Sequence, residues 1–243
     1  MNLEILPERS GRAAENMAID FLLLRRYPRP EGARFRHYGW HAPAFTFGYS
    51  QKIESVRAQL PQDGRLDLCR RATGGGLVDH RDDWTYALVI PRGHALEETR
   101  ATQSYRIVHE CLAAALNQQG IKAGINDKVP APNNDLDPNK LGADPFGVCF
   151  NRAELYDVIN LLSREKIAGA AQKRNKHGLL FQGSIWKPAA GEVNWEQFGA
   201  DFGANLAAAL GSTAERTPWP EIDEDEVSGL IEQYSAPEWN ELR

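Results

Sequence analysis

Apolar side chains recur at helical spacing between Gly11 and Tyr27, where Ala14, Met17, Ala18, Phe21, Leu22 and Leu24 are interleaved with Glu15, Asn16 and Asp20. This pattern predicts a first helix, ended by Pro28. The period then shortens. Arg34 to Tyr38, and the alternate aromatics of Phe45-Thr46-Phe47-Gly48-Tyr49, read as strands around a turn at Ala42-Pro43. A short helix over Ile53 to Leu60 leads to a strand Leu66-Asp67-Leu68-Cys69. Trp84 to Ile90 is apolar on both faces, with Trp84, Tyr86, Leu88 and Ile90 on one of them, as in a central strand. Tyr105, Val108, Leu112, Ala115 and Leu116 line one face of a long helix over Thr102 to Gln119, closed by Gly120, which places His109 and Cys111 in a helix core.

Asn126 to Gly147 has no periodicity and is rich in Asn, Asp, Pro and Gly, so it reads as a long loop of the kind that often carries function. Three strand-like segments follow, Tyr156 to Leu162, Lys166 to Lys173 and Leu179 to Trp186. Helices over Trp195 to Leu210 and Glu224 to Tyr234 finish the chain. This order predicts an α+β fold with a mixed or mostly antiparallel sheet. The 243 residues fit one domain across 1–243, with C-terminal helices from about residue 195.

Composition narrows the function classes. The hydrophobic fraction of 42% and charged fraction of 25% are those of a globular protein, and no apolar stretch approaches the roughly 18 to 20 residues that cross a bilayer. The first residues lack a basic segment followed by a long apolar one, so the expected location is the cytoplasm, with no membrane partner. A net charge of -5 disfavours nucleic acid as a partner. Cys69, Cys111 and Cys149 form no CxxC pair, which argues against a disulfide framework or a thiolate zinc site. The scattered histidines suggest no metal site.

The densest chemical signal is Cys69-Arg70-Arg71-Ala72-Thr73-Gly74-Gly75-Gly76-Leu77-Val78-Asp79-His80. Fixing glycine costs conformational entropy, so three in a row imply either a turn with positive φ or a ligand lying against the backbone. A plain hairpin turn remains open on the glycines alone. Lys166-Ile167-Ala168-Gly169-Ala170-Ala171-Gln172 leaves room against a strand face, as a narrow slot for an aliphatic chain would require, although a close-packed strand with a solvated Lys166 gives the same run. Gly183 is a possible point of close approach. Cys149 ends the long loop, where a nucleophile can be exposed. A thiol needs a nearby cation to become a thiolate, and a hairpin could bring Lys166 to it. Lys173-Arg174-Asn175-Lys176-His177 is a basic turn that could meet an acidic partner. Neither a P-loop nor a GxGxxG fingerprint occurs.

Four runs in order resemble the lipoate-protein ligase and octanoyltransferase family, whose catalytic domain is shared with biotin-protein ligases. They are Asn16 to Asp20, Arg70 to His80, Lys166 to Gln172, and Gln182-Gly183-Ser184-Ile185. The resemblance implies a mixed α/β domain related to class II aminoacyl-tRNA synthetase cores. It implies transfer of lipoyl or octanoyl groups to a lysine of a lipoyl domain or of the glycine-cleavage H protein.

It also implies Cys149 and Lys166 as catalytic residues, with Arg71, Thr73, Gly74, Gly75, Gly76, His80, Gly169, Ala170, Gln172 and Gly183 binding substrate. Cys149-Phe150-Asn151 followed by Tyr156-Asp157-Val158-Ile159 is similar to the cysteine-dependent octanoyltransferase branch, where acyl-carrier protein is the donor and no cofactor is needed. Gly76 is more like the ligases, which activate a free acid with ATP and Mg. Gln182 stands where the family commonly has histidine. A ligase, and a non-catalytic acyl-carrier-binding protein, are the alternatives.

Overall fold

The computed structural model describes residues 2–26, 32–62, 66–128 and 153–242. Cys149 and most of the loop expected over Asn126 to Gly147 lie outside the described residues. In chain order the first elements are β1 (Asn2–Ile5), α1 (Ala13–Arg26), β2 (Gly32–Tyr38), β3 (Ala44–Phe47), α2 (Ile53–Arg57), β4 (Asp67–Arg70) and β5 (Leu77–Asp79). The middle of the chain forms β6 (Asp83–Pro91), α3 (Ala95–Glu98), α4 (Ala101–Gln118), β7 (Ala123–Ile125), β8 (Val158–Asn160), β9 (Lys166–Asn175) and β10 (Gly178–Trp186). It ends in α5 (Lys187–Ala190), α6 (Trp195–Ala209), β11 (Thr213–Arg216), α7 (Glu224–Ser235) and α8 (Pro237–Asn240).

The large sheet runs β11-β1-β2-β6-β10-β9-β8-β7, and a small sheet runs β4-β3-β5. β1 is parallel to both neighbours, whereas β2, β6, β10, β9, β8 and β7 are antiparallel in succession, so the sheet is mixed as the element order implied. β6 is buried at every position. Its Trp84, Tyr86, Leu88 and Ile90 pack into a core with α4 and α6, while Ala87 and Val89 face a second core made largely by α1 and α7. A third cluster, Phe45, Phe47, Ile53, Val56 and Leu77, lies under the small sheet. Asp223 caps α7, accepting from the Asp225 and Glu226 amides at 3.0 Å each.

The strand expected over Tyr156 to Leu162 is shorter. Tyr156 sits at φ +69°, which no strand residue adopts, and the Asn160 side chain accepts from the Leu162 and Ser163 amides to close a turn. α2 likewise stops at Arg57 rather than Leu60. The short strands β1, β5, β7 and β11 had no periodic signal; three or four residues are too few to show one.

Candidate active site

Arg71, at the end of β4, organises the glycine run. Its guanidinium is buried; Nη2 donates to the carbonyls of Gly74 at 2.8 Å and Gly76 at 3.0 Å, and Nη1 donates to Thr46 Oγ1 at 2.8 Å. Loop 48–51 backs the run from the other side, the Tyr49 amide donating to the Thr73 carbonyl at 2.9 Å. The two backbones are so close that a Cβ on Gly48 would lie 2.0 Å from the Gly75 carbonyl oxygen. Gly75 itself has φ +89°, and a Cβ there would meet Ala171 of β9 at 3.7 Å. The glycine run therefore faces β9, leaving backbone where side chains would otherwise fill the space.

His80 lies behind this wall. Its Nδ1 is 2.7 Å from Asp83 Oδ2, its Nε2 is 2.7 Å from Thr46 Oγ1, and Trp40 stacks on the ring at 4.2 Å. A carboxylate only accepts, so Nδ1 is the donor; in the neutral tautomer Nε2 then accepts from Thr46, whose oxygen accepts from Arg71. Burial alone would push the Asp83 carboxyl up, but His80 and hydrogen bonds from Ser184 and Thr85 hold it below the usual carboxylate range. His80 thus supports Arg71 through Thr46.

Thr73 donates to Gln182 Oε1 at 2.8 Å, and Gln182 Nε2 donates to Asp20 at 2.7 Å. Asp20, fully buried, also accepts from Arg36 Nε at 2.7 Å and from the Tyr38 hydroxyl at 2.9 Å. The glutamine at the family's histidine position joins the glycine run to this ion pair, using both ends of its amide.

Lys166 opens β9, and its ammonium pairs with Asp157 Oδ2 at 2.7 Å, with Asp157 only 1% exposed. A Cβ on Gly169 would meet Lys166 Nζ at 2.8 Å and Asp157 Oδ1 at 3.2 Å, so the glycine makes room for the pair. Gly169 and Ala171 alternate along β9 and share a face, which places the lysine on the same strand face as the glycine run. Tyr105 of α4 donates to Asp157 and accepts from the Ala170 amide at 3.0 Å. Burial, and then Asp157, push its hydroxyl well above the usual range. His109, one turn on, donates through Nδ1 to the Tyr156 carbonyl at 2.7 Å, and burial lowers its pKa to about 4.

Among the residues expected to bind substrate, Gly75 approaches Ala171 of β9, Arg71 ties down the flanking Gly74 and Gly76 carbonyls, Thr73 is held to Gln182 of β10, and Gly169 adjoins Lys166. Gln172 is tied to α4, accepting from Ser104 at 3.1 Å and donating to the Ala101 carbonyl at 2.8 Å. The space beside Gly183 is filled by the Tyr86 ring, which a Cβ would meet at 2.2 Å. Asp157 was visible in the sequence only as part of the run Tyr156 to Ile159, with no role of its own, and Tyr105 only as a position on the apolar face of a helix. An acidic residue just before a strand that precedes Lys166 was the available signal for Asp157, whereas Tyr105 looked like any apolar position of α4.

Cys69 and Cys111 are buried, and burial raises both thiols, Cys111 to about 11. Neither is a usable nucleophile near neutral pH. Among the described residues no group of three His, Cys, Asp or Glu side chains is arranged to hold a metal, and no helix is long and apolar enough to cross a membrane.

The octanoyltransferase LipM of Halalkalibacterium halodurans is 30% identical over 176 residues, covering 71% of this chain and 61% of the relative. That of Symbiobacterium thermophilum is 28% identical over 265 residues, covering 93% of each. The chain spans about three fifths of the length of several of these curated relatives. A chain of the bi-partite lipoate protein ligase system of Thermoplasma acidophilum shares the fold with a TM-score of 0.74 at 19% identity, covering 99% of this chain and 96% of that one. A lipoate-protein ligase A structure with bound ATP gives 0.72 at 18% identity, covering 99% of each. The model of the lipoyl protein ligase A/B catalytic domain matches residues 12–187, and the chain belongs to that family.

Proposed function

We propose that this protein is an acyltransferase of protein lipoylation, and that it moves an octanoyl group from acyl-carrier protein to a lysine of a lipoyl domain through a thioester on Cys149. The observation that carries this reading is the placement of Lys166. A buried carboxylate fixes its ammonium beside Gly169, on the β9 face that the glycine run covers. Relatives at about 30% identity that are named octanoyltransferases support octanoyl as the group transferred. The burial of Cys69 and Cys111 supports Cys149 as the nucleophile.

In this reaction the Cys149 thiolate attacks the carbonyl of the octanoyl thioester. The C–S bond to the carrier breaks, and the carrier thiol leaves with the proton. The lysine amine of the acceptor domain then attacks the acyl-enzyme, an amide forms, and Cys149 regains its thiol. One thioester is exchanged for another, so the first step is near free-energy neutral and needs no ATP. The Lys166 ammonium favours the thiolate and orients the acyl carbonyl. The glycine run and Gly169 hold the acyl chain, with Arg71 and Thr73 fixing the wall. The chain acts as one catalytic domain in the cytoplasm, where acyl-carrier protein and lipoyl domains meet it.

Incubation with octanoyl-acyl-carrier protein and an apo lipoyl domain, with no nucleotide present, should octanoylate the domain. Modification that needs free acid and ATP, and persists in Cys149→Ala, would identify a ligase. Binding of the carrier protein with no modification under either condition would identify a non-catalytic carrier-binding protein.

A further inference from the structure

Arg70 is fully buried, and its guanidinium joins two segments far apart in sequence. Nη1 donates to the carbonyls of Tyr49 at 2.6 Å and Gln51 at 2.8 Å. Nε donates to the Trp239 carbonyl at 3.0 Å and Nη2 to the Asn240 carbonyl at 2.9 Å. The Arg70 backbone is bound by the same C-terminal residues: its amide donates to Asn240 Oδ1 at 2.7 Å, and its carbonyl accepts from Trp239 Nε1 at 2.8 Å. The Trp239 ring packs on Tyr49 at 5.9 Å and on Tyr234 at 4.9 Å.

Loop 48–51 is the segment whose amides hold the glycine run, through Tyr49 to the Thr73 carbonyl and Gly48 to the Gly76 carbonyl at 3.3 Å. A continuous set of hydrogen bonds thus runs from the α8 carbonyls through the Arg70 guanidinium and loop 48–51 to the wall of the acyl site. α8 lies outside residues 12–187, the part that the family shares.

We propose that the C-terminal segment 236–241 is a positioning element of the active site, which sets the placement of the glycine wall through Arg70. A guanidinium suits this task because its planar fork can serve carbonyls on two sides at once, which a lysine ammonium at the end of a flexible stem cannot do in a fixed geometry. The α8 carbonyls accept two of the Arg70 guanidinium's hydrogen bonds. Without them a buried cation would shift toward solvent and draw the Tyr49 and Gln51 carbonyls with it.

The test is amide hydrogen exchange on the Trp239→Ala/Asn240→Ala double variant of the full chain, which removes the α8 side chains that bind the Arg70 backbone and pack on Tyr49 and Tyr234. Exchange at Gly48 and Tyr49 should accelerate by about tenfold or more, with β6 and β10 unchanged. Unchanged exchange at Gly48 and Tyr49, with acceleration confined to 236–242, overturns the proposal. This readout needs no substrate, so it stands or falls apart from the transfer reaction. Given that reaction, the variant should raise the KM for the octanoyl donor about fivefold with kcat little changed, a split that general loss of folded protein would not produce. Arg70→Lys, which keeps the charge and loses the fork, should show the same exchange pattern, and protection like the wild type's in Arg70→Lys would also overturn it.

Discussion

Two glycines of the site do opposite jobs, and alanine tells them apart. At Gly169 a new methyl group would meet the far end of the Lys166 side chain, at 2.8 Å from Nζ and 2.9 Å from Cε. The lysine can move aside, so Gly169→Ala should keep the thermal stability within about 1 kcal/mol of the wild type. Moving the lysine breaks its fit to Asp157, and transfer should fall by roughly 10²-fold. At Gly183 the methyl group would lie 2.2 Å from a Tyr86 ring fixed in the core. Gly183→Ala should therefore cost about 1–3 kcal/mol of stability, read as a lower denaturant midpoint. Asp157→Asn keeps the shape and removes the charge that fixes Lys166. It should cost roughly 10² in kcat/KM with far-UV spectra unchanged, and an unchanged kcat/KM would remove Asp157 from the site.

Elements bring distant residues together here, and the sequence showed them unevenly. α4 and β6 were legible because long periodic runs carry enough positions to fix a face: Val108, Leu112 and Leu116 are fully buried, as are Tyr86, Leu88 and Ile90. Strands of three or four residues carry no such signal, and Asn160 turned the end of an expected strand into a turn. The site followed the same division. The glycine run and Lys166 stood out as unusual local choices, whereas Asp157 and Tyr105 matter only through tertiary contacts between β8, β9 and α4. His80 shows a second limit, since its motif position was visible but its engagement with Asp83 and Thr46, behind the wall, was not.

The α4 contact also carries a pH dependence. His109 is fully buried, its pKa is lowered to about 4, and its Nε2 has no hydrogen-bond partner among the described residues. Below pH 6.5 the unfolded chain binds a proton at this position that the folded chain does not, so stability rises with pH. The contribution is complete above about pH 6.5 and is lost as pH falls toward 4, at up to about 1.4 kcal/mol per pH unit. His37 adds in the same direction, because burial lowers it too. Thermal melts should show a midpoint that falls between pH 7 and pH 5, and His109→Gln should flatten that slope. A slope unchanged in the variant would assign the effect to other groups.

At the scale of the whole molecule, the eight-stranded sheet gathers three functions onto one region. α1 supplies the buried Asp20 behind Gln182, β9 and α4 supply the Lys166 centre, and the C-terminal α8 holds the loop that backs the glycine wall. The arrangement sets the Lys166 ammonium on the face of β9 that Gly75 approaches, where the proposed reaction would place the acyl carbonyl. In the proposed reaction the acyl group passes through Cys149. The most direct test is intact-mass measurement after mixing the protein with octanoyl-acyl-carrier protein, with neither ATP nor acceptor present. One octanoyl adduct per chain should form, be removed by hydroxylamine, map to Cys149 by digestion, and be absent in Cys149→Ala. No adduct on the wild type, or an equal adduct on Cys149→Ala, would contradict it.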